Sequence, residues 1–198
     1  MAALDLFLFR AINRDLSNAL FDLLMPVITD PEPFLVPFAG AGIALLVWGG
    51  RKGRLAVVTA LVLLFVSNAA NELVKFWIQR PRPCQALEAV RLLVGCTHSL
   101  SFPSSHAANI TAQALLFASL YRPLAFPLFL VAALVGYSRV YVGVHYPADV
   151  AGGVLVGLIA AAVCIRLARE VEGRLGWFTV HGSGFTGKTR SSSENGEL

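Results

Sequence analysis

An all-α membrane protein is the fold class that this sequence predicts, and three observations predict it. Of the 198 residues, 56% are hydrophobic and only 14% are charged, whereas about 25% of residues are charged in a soluble domain. The mean hydropathy is +0.67. Apolar stretches recur along the chain between short polar breaks. Too few polar groups remain to cover a water-soluble surface, so we expect an integral membrane helical bundle with about six transmembrane helices and an amphipathic N-terminal helix.

The apolar stretches predict the helices in chain order. Residues 4–13 are amphipathic, which favours a helix that lies at the membrane interface or extends the first span. Spans are then predicted at residues 16–29, 34–48, 55–77, 107–120, 124–137 and 150–167. Several of them are shorter than the roughly 20 residues of a full crossing. Six crossings nevertheless remain the expected number, because they place all the polar clusters described below on one side.

The rest of the chain reads as connections and a tail. Residues 79–104 form the longest polar connection, with a short helix expected over residues 86–94. The length suits one compact domain, which we place at residues 1–180. Residues 181–198 are rich in Gly, Ser and Thr and predict a disordered tail. The sequence has no phosphate-binding glycine loop of the Walker type. It also has no nucleic-acid-binding module, so no nucleic-acid partner is expected.

Three short polar clusters stand out in this apolar chain. The first is Lys75, six residues and then Arg82-Pro83, and the second is Pro103-Ser104-Ser105-His106. The third is Ser138-Arg139, five residues, His145, three residues and Asp149. Charged groups near lipid are costly and usually mark function. Three cations, two histidines and a carboxylate are the groups needed to hold a phosphate, attack it and protonate its leaving group.

The cations and the second cluster suit a phosphate group. Lys75, Arg82 and Arg139 would offset its charge, and a guanidinium binds two oxygens at once. Ser104 and Ser105 directly precede a predicted helix, where free backbone N–H groups attract anions. Any one of these cations alone would equally be an interfacial residue with its charge extended to water, but that reading does not explain the whole arrangement.

His145 and Asp149 are spaced for an oriented nucleophile. If Pro147 begins a helix, Asp149 lies in its first turn and reaches back to the His145 ring. A carboxylate on one ring nitrogen leaves the other nitrogen free to attack. Taken singly, each residue has an alternative interpretation. His145 and Asp149 would be a helix-end histidine with a capping aspartate, and His106 would be an interfacial helix residue. A metal site at His106, His145 and Asp149 is not expected, because three nearby cations would repel a divalent ion.

Charge counting predicts the orientation. Five basic residues lie on the side of the clusters: Lys75, Arg80, Arg82, Arg91 and Arg139. Eleven lie on the other side: Arg10, Arg14, Arg51, Lys52, Arg54, Arg122, Arg166, Arg169, Arg174, Lys188 and Arg190. Both termini are therefore expected in the cytoplasm, with the clusters facing the periplasm or the exterior.

Together the clusters resemble the signature of the type 2 phosphatidic acid phosphatase (PAP2) superfamily. Its pattern is Lys-x6-Arg-Pro, then Pro-Ser-Gly-His, then Ser-Arg-x5-His-x3-Asp, and all three spacings fit. The match runs from Lys75 to Asp149, and the expected six-span layout extends it over most of the chain. The one departure is Ser105, where the pattern has Gly. A backbone N–H is still present there, so we expect activity to survive.

The resemblance implies a role for each matching residue. His145 would be the nucleophile that forms a phosphohistidine, with Asp149 orienting it. His106 would protonate the leaving oxygen and later activate water. The phosphate would be held by Lys75, Arg82, Ser104 and Arg139, with backbone N–H groups of Ser105 and His106 as further donors. No cofactor and no metal are implied, because phosphoryl transfer depends mainly on positioning and charge stabilisation.

The substrate implied is a lipid phosphate in a bacterial inner membrane. Undecaprenyl diphosphate is the first expectation, because the compact size and external site look like the bacterial undecaprenyl-diphosphate phosphatases. Phosphatidylglycerophosphate, lipid A 1-phosphate and transfer of the phosphate to another lipid are the alternatives. A catalytically silent lipid-binding or transport scaffold is the alternative from a different class, and the presence of both histidines and Asp149 argues against it.

The cysteines predict one disulfide. Cys84 and Cys96 both lie in the 79–104 connection, on the side assigned as external, where disulfides persist. Cys164 lies in the last predicted span and is expected to stay reduced. A bridge would fix the loop two residues after Arg82. Two unrelated small residues are the alternative.

Overall fold

The computed structural model of the chain describes residues 3–174, and all regular secondary structure over that range is helical. The helices are α1 (Ala3–Arg10), α2 (Ala19–Thr29), α3 (Glu32–Trp48), α4 (Gly50–Ile78), α5 (Pro83–Ala86), α6 (Ser105–Leu120), α7 (Ala125–Tyr141) and α8 (Pro147–Arg174). A π-helical turn, Ala11–Asp15, continues α1, and a 3₁₀ turn, Arg122–Leu124, precedes α7. The all-helical membrane fold is therefore confirmed.

The chain divides into two compact units, Met1–Ile165 and Arg166–Leu198. All the polar clusters lie in the first unit. The described part of the second unit is the C-terminal end of α8. The expected tail at residues 181–198 and the end of the expected domain at residue 180 lie outside the described residues, so the domain prediction stays a prediction.

Long helices of the first unit pack side by side through small and apolar residues. Their shared core consists of Leu63 from α4, Ala112 and Leu116 from α6, and Ala160, Ala161 and Cys164 from α8. Large apolar side chains point outward instead, among them Phe65 (76% exposed), Trp77 (74%) and Phe126 (79%). An outward-facing apolar surface on long helices suits contact with lipid. Lipid tails are as apolar as these side chains, so burying the side chains between helices would give no hydrophobic stabilisation.

Fewer helices than expected are long enough to cross a membrane. Among the described residues, three regions meet length and hydropathy requirements: Gly50–Ala86, Arg122–Tyr141 and Pro147–Gly173. The pair α2 and α3, bent by 49° at the break between them, would make a fourth. At 16 residues, α6 is roughly 24 Å long, less than the ~30 Å hydrocarbon core. The prediction of about six spans is therefore too high by this measure.

The segment predicted as the first span lies across the site end of α7. With 11 residues, α2 is only ~16 Å long. At its beginning, the Asn18 N–H donates to the Tyr141 hydroxyl at 3.1 Å. At its end, Thr29 accepts a hydrogen bond from Arg139 at 2.7 Å. Tyr141 and Arg139 are both in the last turn of α7, so α2 stays at that end. One face of α2, with Phe21, Met25 and Ile28, packs on the end of α7 and the adjoining loop, whereas its other apolar side chains are exposed.

The N-terminal segment lies at the same end. As expected, α1 is amphipathic: Leu4 and Phe7 are exposed, whereas Asp5 and Phe9 are buried. The Asp5 carboxylate contacts Arg80, beyond the end of α4, at 2.5 Å. Arg10 and Arg14 therefore belong with the clusters and not with the opposite side. The charge counts become seven on the side of the clusters and nine on the opposite side, so the argument that placed the N-terminus in the cytoplasm no longer holds.

The connection at residues 79–104 is mostly non-helical. Only the short α5 forms, and the helix expected over residues 86–94 is absent. Its backbone groups bind neighbouring segments instead of each other. The Arg91 N–H donates to the Asn13 side chain at 3.0 Å, and the Leu93 N–H donates to the Val142 carbonyl at 3.2 Å. These bonds hold the connection over the end of α7.

Candidate active site

Helix ends bring the three clusters together. Lys75 lies in the last turn of α4, and Ser104 is the N-cap of α6. Arg139 lies in the last turn of α7, and Asp149 in the first turn of α8. Arg82 comes from the connection at residues 79–104. Lys75, Arg82, Ser104, Arg139, His145 and Asp149 are all buried, and Ser105 and His106 are half-buried.

His145 sits in a tight loop between α7 and α8. The N–H groups of Val144 and His145 both donate to the Arg139 carbonyl, at 3.3 and 3.2 Å. Gly143 makes the turn with φ +88°, and a Cβ there would lie 2.7 Å from the Arg91 carbonyl oxygen. Glycine tolerates the positive φ and has no Cβ to clash with that oxygen, so the turn requires glycine at this position. The loop therefore fixes the His145 backbone to the end of α7.

Asp149 faces one nitrogen of the His145 ring. As predicted, α8 begins at Pro147. Asp149 Oδ2 lies 3.5 Å from His145 Nδ1 and accepts hydrogen bonds from the Tyr146 N–H at 2.8 Å and from Ser101 Oγ at 2.5 Å. A carboxylate accepts only, so Nδ1 is the nitrogen that carries the proton. The lone pair of the neutral ring is then on Nε2.

Arg82 lies on the Nε2 side of that ring. Its Nη1 is 3.1 Å from His145 Nε2 and 3.2 Å from the Val144 carbonyl oxygen. Its Nε and Nη2 donate to the backbone oxygen and hydroxyl of Ser99, each at 2.8 Å. The guanidinium is thus held beside the atom that would attack, which is where a bound phosphate needs a cation.

Lys75 and Ser105 form the second cationic part of the site. Lys75 Nζ donates to Ser105 Oγ at 2.9 Å and to Glu72 Oε1 at 2.7 Å. Ser105 is the position at which the expected pattern has glycine, and here its hydroxyl holds the lysine. Ser104 has its N–H bonded to the Asp149 carbonyl at 2.9 Å, and its Oγ accepts from the Ala107 N–H at 3.5 Å. The Ser104 hydroxyl proton remains available to a ligand.

Arg139 is the third cation. Its Nη1 donates to Thr29 Oγ1 at 2.7 Å. Its Nε is buried without a hydrogen-bond partner. A buried unpaired donor on a charged group is costly, and a phosphate oxygen is a suitable acceptor for it. Arg139 therefore retains a donor that a bound anion would satisfy.

His106 completes the group. The ring is in the first turn of α6 and is in electrostatic contact with His145, Arg139, Arg82 and Lys75. The pKa of His145 is lowered to about 4, chiefly by burial and also by the cations Arg82 and Arg139, against the opposing effect of Asp149. His145 is therefore neutral at physiological pH, which is the form with a nucleophilic nitrogen.

Four polar residues that contact the site were missed in the sequence. Arg80 binds Asp149 Oδ1 at 2.7 Å, Ser101 binds Asp149, Ser99 binds Arg82 and Thr29 binds Arg139. Arg80 had a detectable signal, because it precedes Arg82 by two residues and both are basic. The other three are small polar residues, whose contacts depend on how the loops fold. His98 is exposed in the connection at residues 79–104.

The structure joins Cys84 and Cys96 in a disulfide. The Sγ atoms are 2.04 Å apart and the Cα atoms 6.2 Å apart, within the usual range. The bridge ties the start of α5 to the loop that carries Ser99, the partner of Arg82. Cys164 has a free thiol and is buried. Within the described residues no group of three or more His, Cys, Asp and Glu side chains is arranged to hold a metal ion.

Comparison with known proteins supports the same interpretation. The sequence profile of the PAP2 superfamily matches residues 56–172. Undecaprenyl-diphosphatase BcrC of Bacillus subtilis is 31% identical over 162 residues, which cover 81% of this chain and 82% of that protein. Decaprenylphosphoryl-5-phosphoribose phosphatase of Mycobacterium tuberculosis is 41% identical over 99 residues, which cover 50% of this chain and 54% of that protein.

A solved structure extends the likeness to the fold. The crystal structure of Aquifex aeolicus LpxE has a TM-score of 0.67 and 30% sequence identity, with 83% of this chain and 96% of that chain covered. The profile match includes all three polar clusters, and the BcrC match covers most of both chains. The chain therefore belongs to the PAP2 superfamily and is a membrane lipid phosphatase.

Proposed function

We propose that this protein removes the terminal phosphate of undecaprenyl diphosphate through a phosphohistidine on His145. The observation that carries the proposal is the geometry of that ring. Asp149 faces Nδ1, Arg82 lies 3.1 Å from Nε2, and the buried ring is neutral. A polyprenyl diphosphate is favoured over other lipids by the relative BcrC, which is named an undecaprenyl-diphosphatase and matches over four fifths of both chains.

The positions of the side chains support the following reaction. Nε2 of His145 attacks the terminal phosphorus, and the N–P bond forms as the bond to the bridging oxygen breaks. The negative charge of the bound diphosphate favours the protonated form of His106, which donates a proton to that oxygen, so the lipid monophosphate leaves. Arg82, Arg139 and Lys75 offset the charge on the three transferred oxygens. Asp149 stabilises the positive charge that develops on the His145 ring.

Water completes the turnover. With the leaving lipid gone, neutral His106 accepts a proton from a water molecule, which attacks the phosphorus. The N–P bond breaks and inorganic phosphate is released. No step requires a metal, because three cations of the protein surround the phosphate. We therefore expect activity to persist in excess chelator and to be inhibited by vanadate, which mimics five-coordinate phosphorus.

We place the site at the periplasmic or exterior face. The Cys84–Cys96 bridge supports that side, because disulfides persist in oxidising compartments. A site at the outer interface suits a lipid whose phosphate projects from the bilayer.

A second candidate is a phosphate monoester on a polyprenyl-linked sugar. It is favoured by the higher identity, over half of this chain, to the decaprenylphosphoryl-5-phosphoribose phosphatase. The two candidates share the lipid and the chemistry and differ in the leaving group. A diphosphate loses a phosphate monoester, whereas a sugar phosphate loses an alcohol, which depends more on protonation by His106.

A substrate panel tests the proposal. Phosphate release by the purified protein would be measured with undecaprenyl diphosphate, a polyprenylphosphoryl sugar phosphate, phosphatidylglycerophosphate and lipid A 1-phosphate, with His145→Ala as the control. We expect the largest kcat/KM with undecaprenyl diphosphate. A larger value with another lipid would reassign the substrate. Transfer of labelled phosphate to an added lipid would indicate a phosphotransferase, and no turnover of any lipid would indicate a silent scaffold.

A further inference from the structure

Asp149 has a second ionic partner on the side away from His145. Its Oδ2 accepts hydrogen bonds from the Tyr146 N–H and from Ser101 Oγ, and it faces the His145 ring. Its Oδ1 is bound by Arg80 Nη1 at 2.7 Å. Asp149 is fully buried, and the Arg80 side chain is 16% exposed. The carboxylate is therefore held at both oxygens, and a cation balances its charge.

Arg80 is itself fixed by the N-terminal helix. Its Nη2 binds Asp5 Oδ2 at 2.5 Å, so the two ends of the guanidinium hold two carboxylates. The guanidinium carbon lies 4.0 Å from the centre of the Tyr146 ring, and Phe9 packs against the same ring with 5.4 Å between ring centres. The planar cation is thus held in one orientation by two ion pairs and one ring.

Asp5 also binds the beginning of α8. Its Oδ1 accepts a hydrogen bond from the Ala148 N–H at 2.8 Å, one residue before Asp149. A carboxylate at the N-terminus of a helix is stabilised by the free N–H groups there. Asp5 is 7% exposed and lies outside residues 56–172, which match the PAP2 profile. One buried carboxylate of α1 therefore positions both Arg80 and the turn that carries Asp149.

The network affects the protonation of His145. The charged and titratable groups that face this ring are Arg82 from the connection at residues 79–104, Arg139 from α7, His106 from α6 and Asp149 from α8. Among these only Asp149 favours the protonated ring. Arg80 draws on the same carboxylate from its far side and so weakens its pull on the His145 proton. Loss of Arg80 would leave the Asp149 charge to His145 alone.

We propose that Arg80, held by Asp5 of the N-terminal helix, is a positioning residue that orients Asp149 towards Nδ1 of the His145 ring. Arg80 acts through Asp149, because the two ends of its guanidinium are bound to the carboxylates of Asp149 and Asp5. The proposal rests on the proposed function of His145 as the nucleophile. It also gives α1 a part in catalysis, although α1 lies outside the region that the family profile matches.

Kinetics of four variants test the proposal. Arg80→Gln removes the cation, Arg80→Lys keeps the charge without the two-ended geometry, and Asp5→Asn keeps the acceptor for Ala148 without the charge. Arg14→Gln, an exposed arginine of the same segment, is the matched control. We expect kcat to fall at least tenfold in Arg80→Gln, less in Arg80→Lys and Asp5→Asn, and to stay within twofold in the control. KM should change by less than twofold in all four.

A titration separates positioning from simple loss of structure. Histidine labelled with ¹⁵N in the full-length, detergent-solubilised protein would report the pKa of His145, assigned by comparison with His145→Gln. We expect that pKa to rise by at least half a unit in Arg80→Gln and by less in Asp5→Asn, with no change in Arg14→Gln. A kcat of Arg80→Gln within twofold of the unchanged protein, or an unchanged pKa of His145, would overturn the proposal.

The titration needs no substrate, so it tests the role of Arg80 separately from the proposed function. Should the unchanged protein release phosphate from no lipid, the proposed function fails, and the pKa of His145 alone decides whether Arg80 acts on that ring. If Arg80→Gln does not fold, Arg80→Lys and Asp5→Asn carry the same test, since each keeps one part of the network. Equal pKa values in both of these and the unchanged protein would also overturn the proposal.

Discussion

His145 and His106 have different surroundings, which suit different tasks. His145 is 1% exposed and is held by Asp149 and Arg82, whereas His106 is half-buried at the beginning of α6. A nucleophile needs a fixed direction of attack. An acid must reach the leaving group and later a water molecule. The first ring is fixed on both sides, and the described contacts of His106 include no such restraint.

Replacing each histidine should separate the two tasks. We expect His145→Ala to abolish turnover of every substrate, because no neighbouring residue can replace an oriented nucleophile. We expect His106→Ala to lose about 10²- to 10⁴-fold with a lipid phosphate but to retain most activity with an activated aryl phosphate, whose leaving group needs little protonation. Steady-state phosphate release would measure both. Near-normal turnover of lipid phosphate by His145→Ala would contradict the mechanism.

The serine at position 105 should matter less than the lysine it holds. Lys75→Gln removes a charged donor to the phosphate, so we expect kcat/KM to fall about 10- to 100-fold, given the usual value of a hydrogen bond to a charged group. Ser105→Gly restores the residue of the family pattern and keeps the backbone N–H. Lys75 also keeps its contact with Glu72. We therefore expect kcat/KM of Ser105→Gly within about threefold of the unchanged protein, and a loss as large as that of Lys75→Gln would show that the hydroxyl binds substrate.

At the scale of the elements, glycines of α8 set the position of α6. A Cβ on Gly153 would lie 2.4 Å from the Ser104 carbonyl oxygen, and one on Gly157 would lie 2.3 Å from the Ala108 carbonyl oxygen. Both distances are far shorter than a van der Waals contact. The two helix backbones therefore touch, as in other membrane helix pairs with small residues four apart. This contact places Ser104 and His106 beside the first turn of α8.

A methyl group at Gly157 should disturb the site from a distance. We expect Gly157→Ala to push α6 away from α8, lowering both the thermal midpoint of unfolding and kcat, because His106 and Ser104 move relative to His145. Gly42→Ala is the control: nothing lies within 4 Å of a Cβ there, and helix propensity alone would stabilise α3 by up to ~1 kcal/mol. Differential scanning measurements and phosphate release would be compared. Equal effects of the two substitutions would contradict the packing argument.

Among the helices and connections, some features could be predicted from the sequence and others could not. The helix that begins at Pro147 was predictable, because proline is favoured at the first helical position, and this start places Asp149 in the first turn, four residues after His145. The connection at residues 79–104 was predicted in extent but not in structure. Its backbone partners, Asn13 and Val142, are distant in sequence. Periodicity detects only local order, so such contacts leave no pattern.

By length and hydropathy, the described part of the molecule has fewer candidate spans than the six expected: three, or four with the bent pair α2 and α3. Residues 16–29 are as apolar as a membrane span, and hydropathy does not distinguish a helix that crosses lipid from one that packs on another helix. The structure makes the distinction through polar contacts at both ends of α2, to Tyr141 and to Arg139. Asp22, in the first turn of α2, also binds the Tyr141 hydroxyl at 2.5 Å. These contacts keep α2 at the site end, and the ion pair between Asp5 and Arg80 keeps α1 there.

Cysteine labelling in intact cells tests this arrangement. In a background in which Cys164 is replaced by Ala and Cys84 and Cys96 are left paired, single cysteines would be introduced at Arg14, Glu88 and Lys52. Arg14 and Glu88 are exposed at the site end, and Lys52 is exposed at the beginning of α4, the end away from Lys75. We expect an impermeant thiol reagent to label Arg14→Cys and Glu88→Cys and to label Lys52→Cys only after the membrane is permeabilised.

Each of the other labelling results would contradict a different part of this arrangement. Labelling of the background itself would mean that Cys84 and Cys96 are not paired. Labelling of Lys52→Cys with shielding of both other positions would place the site in the cytoplasm, and with it the lipid phosphate that the enzyme uses. Labelling of Glu88→Cys with shielding of Arg14→Cys would require the segment before α3 to cross the membrane. That last result would restore the predicted first span, and it would break the contact between Asp5 and Arg80 because the two residues would lie on opposite sides of the bilayer.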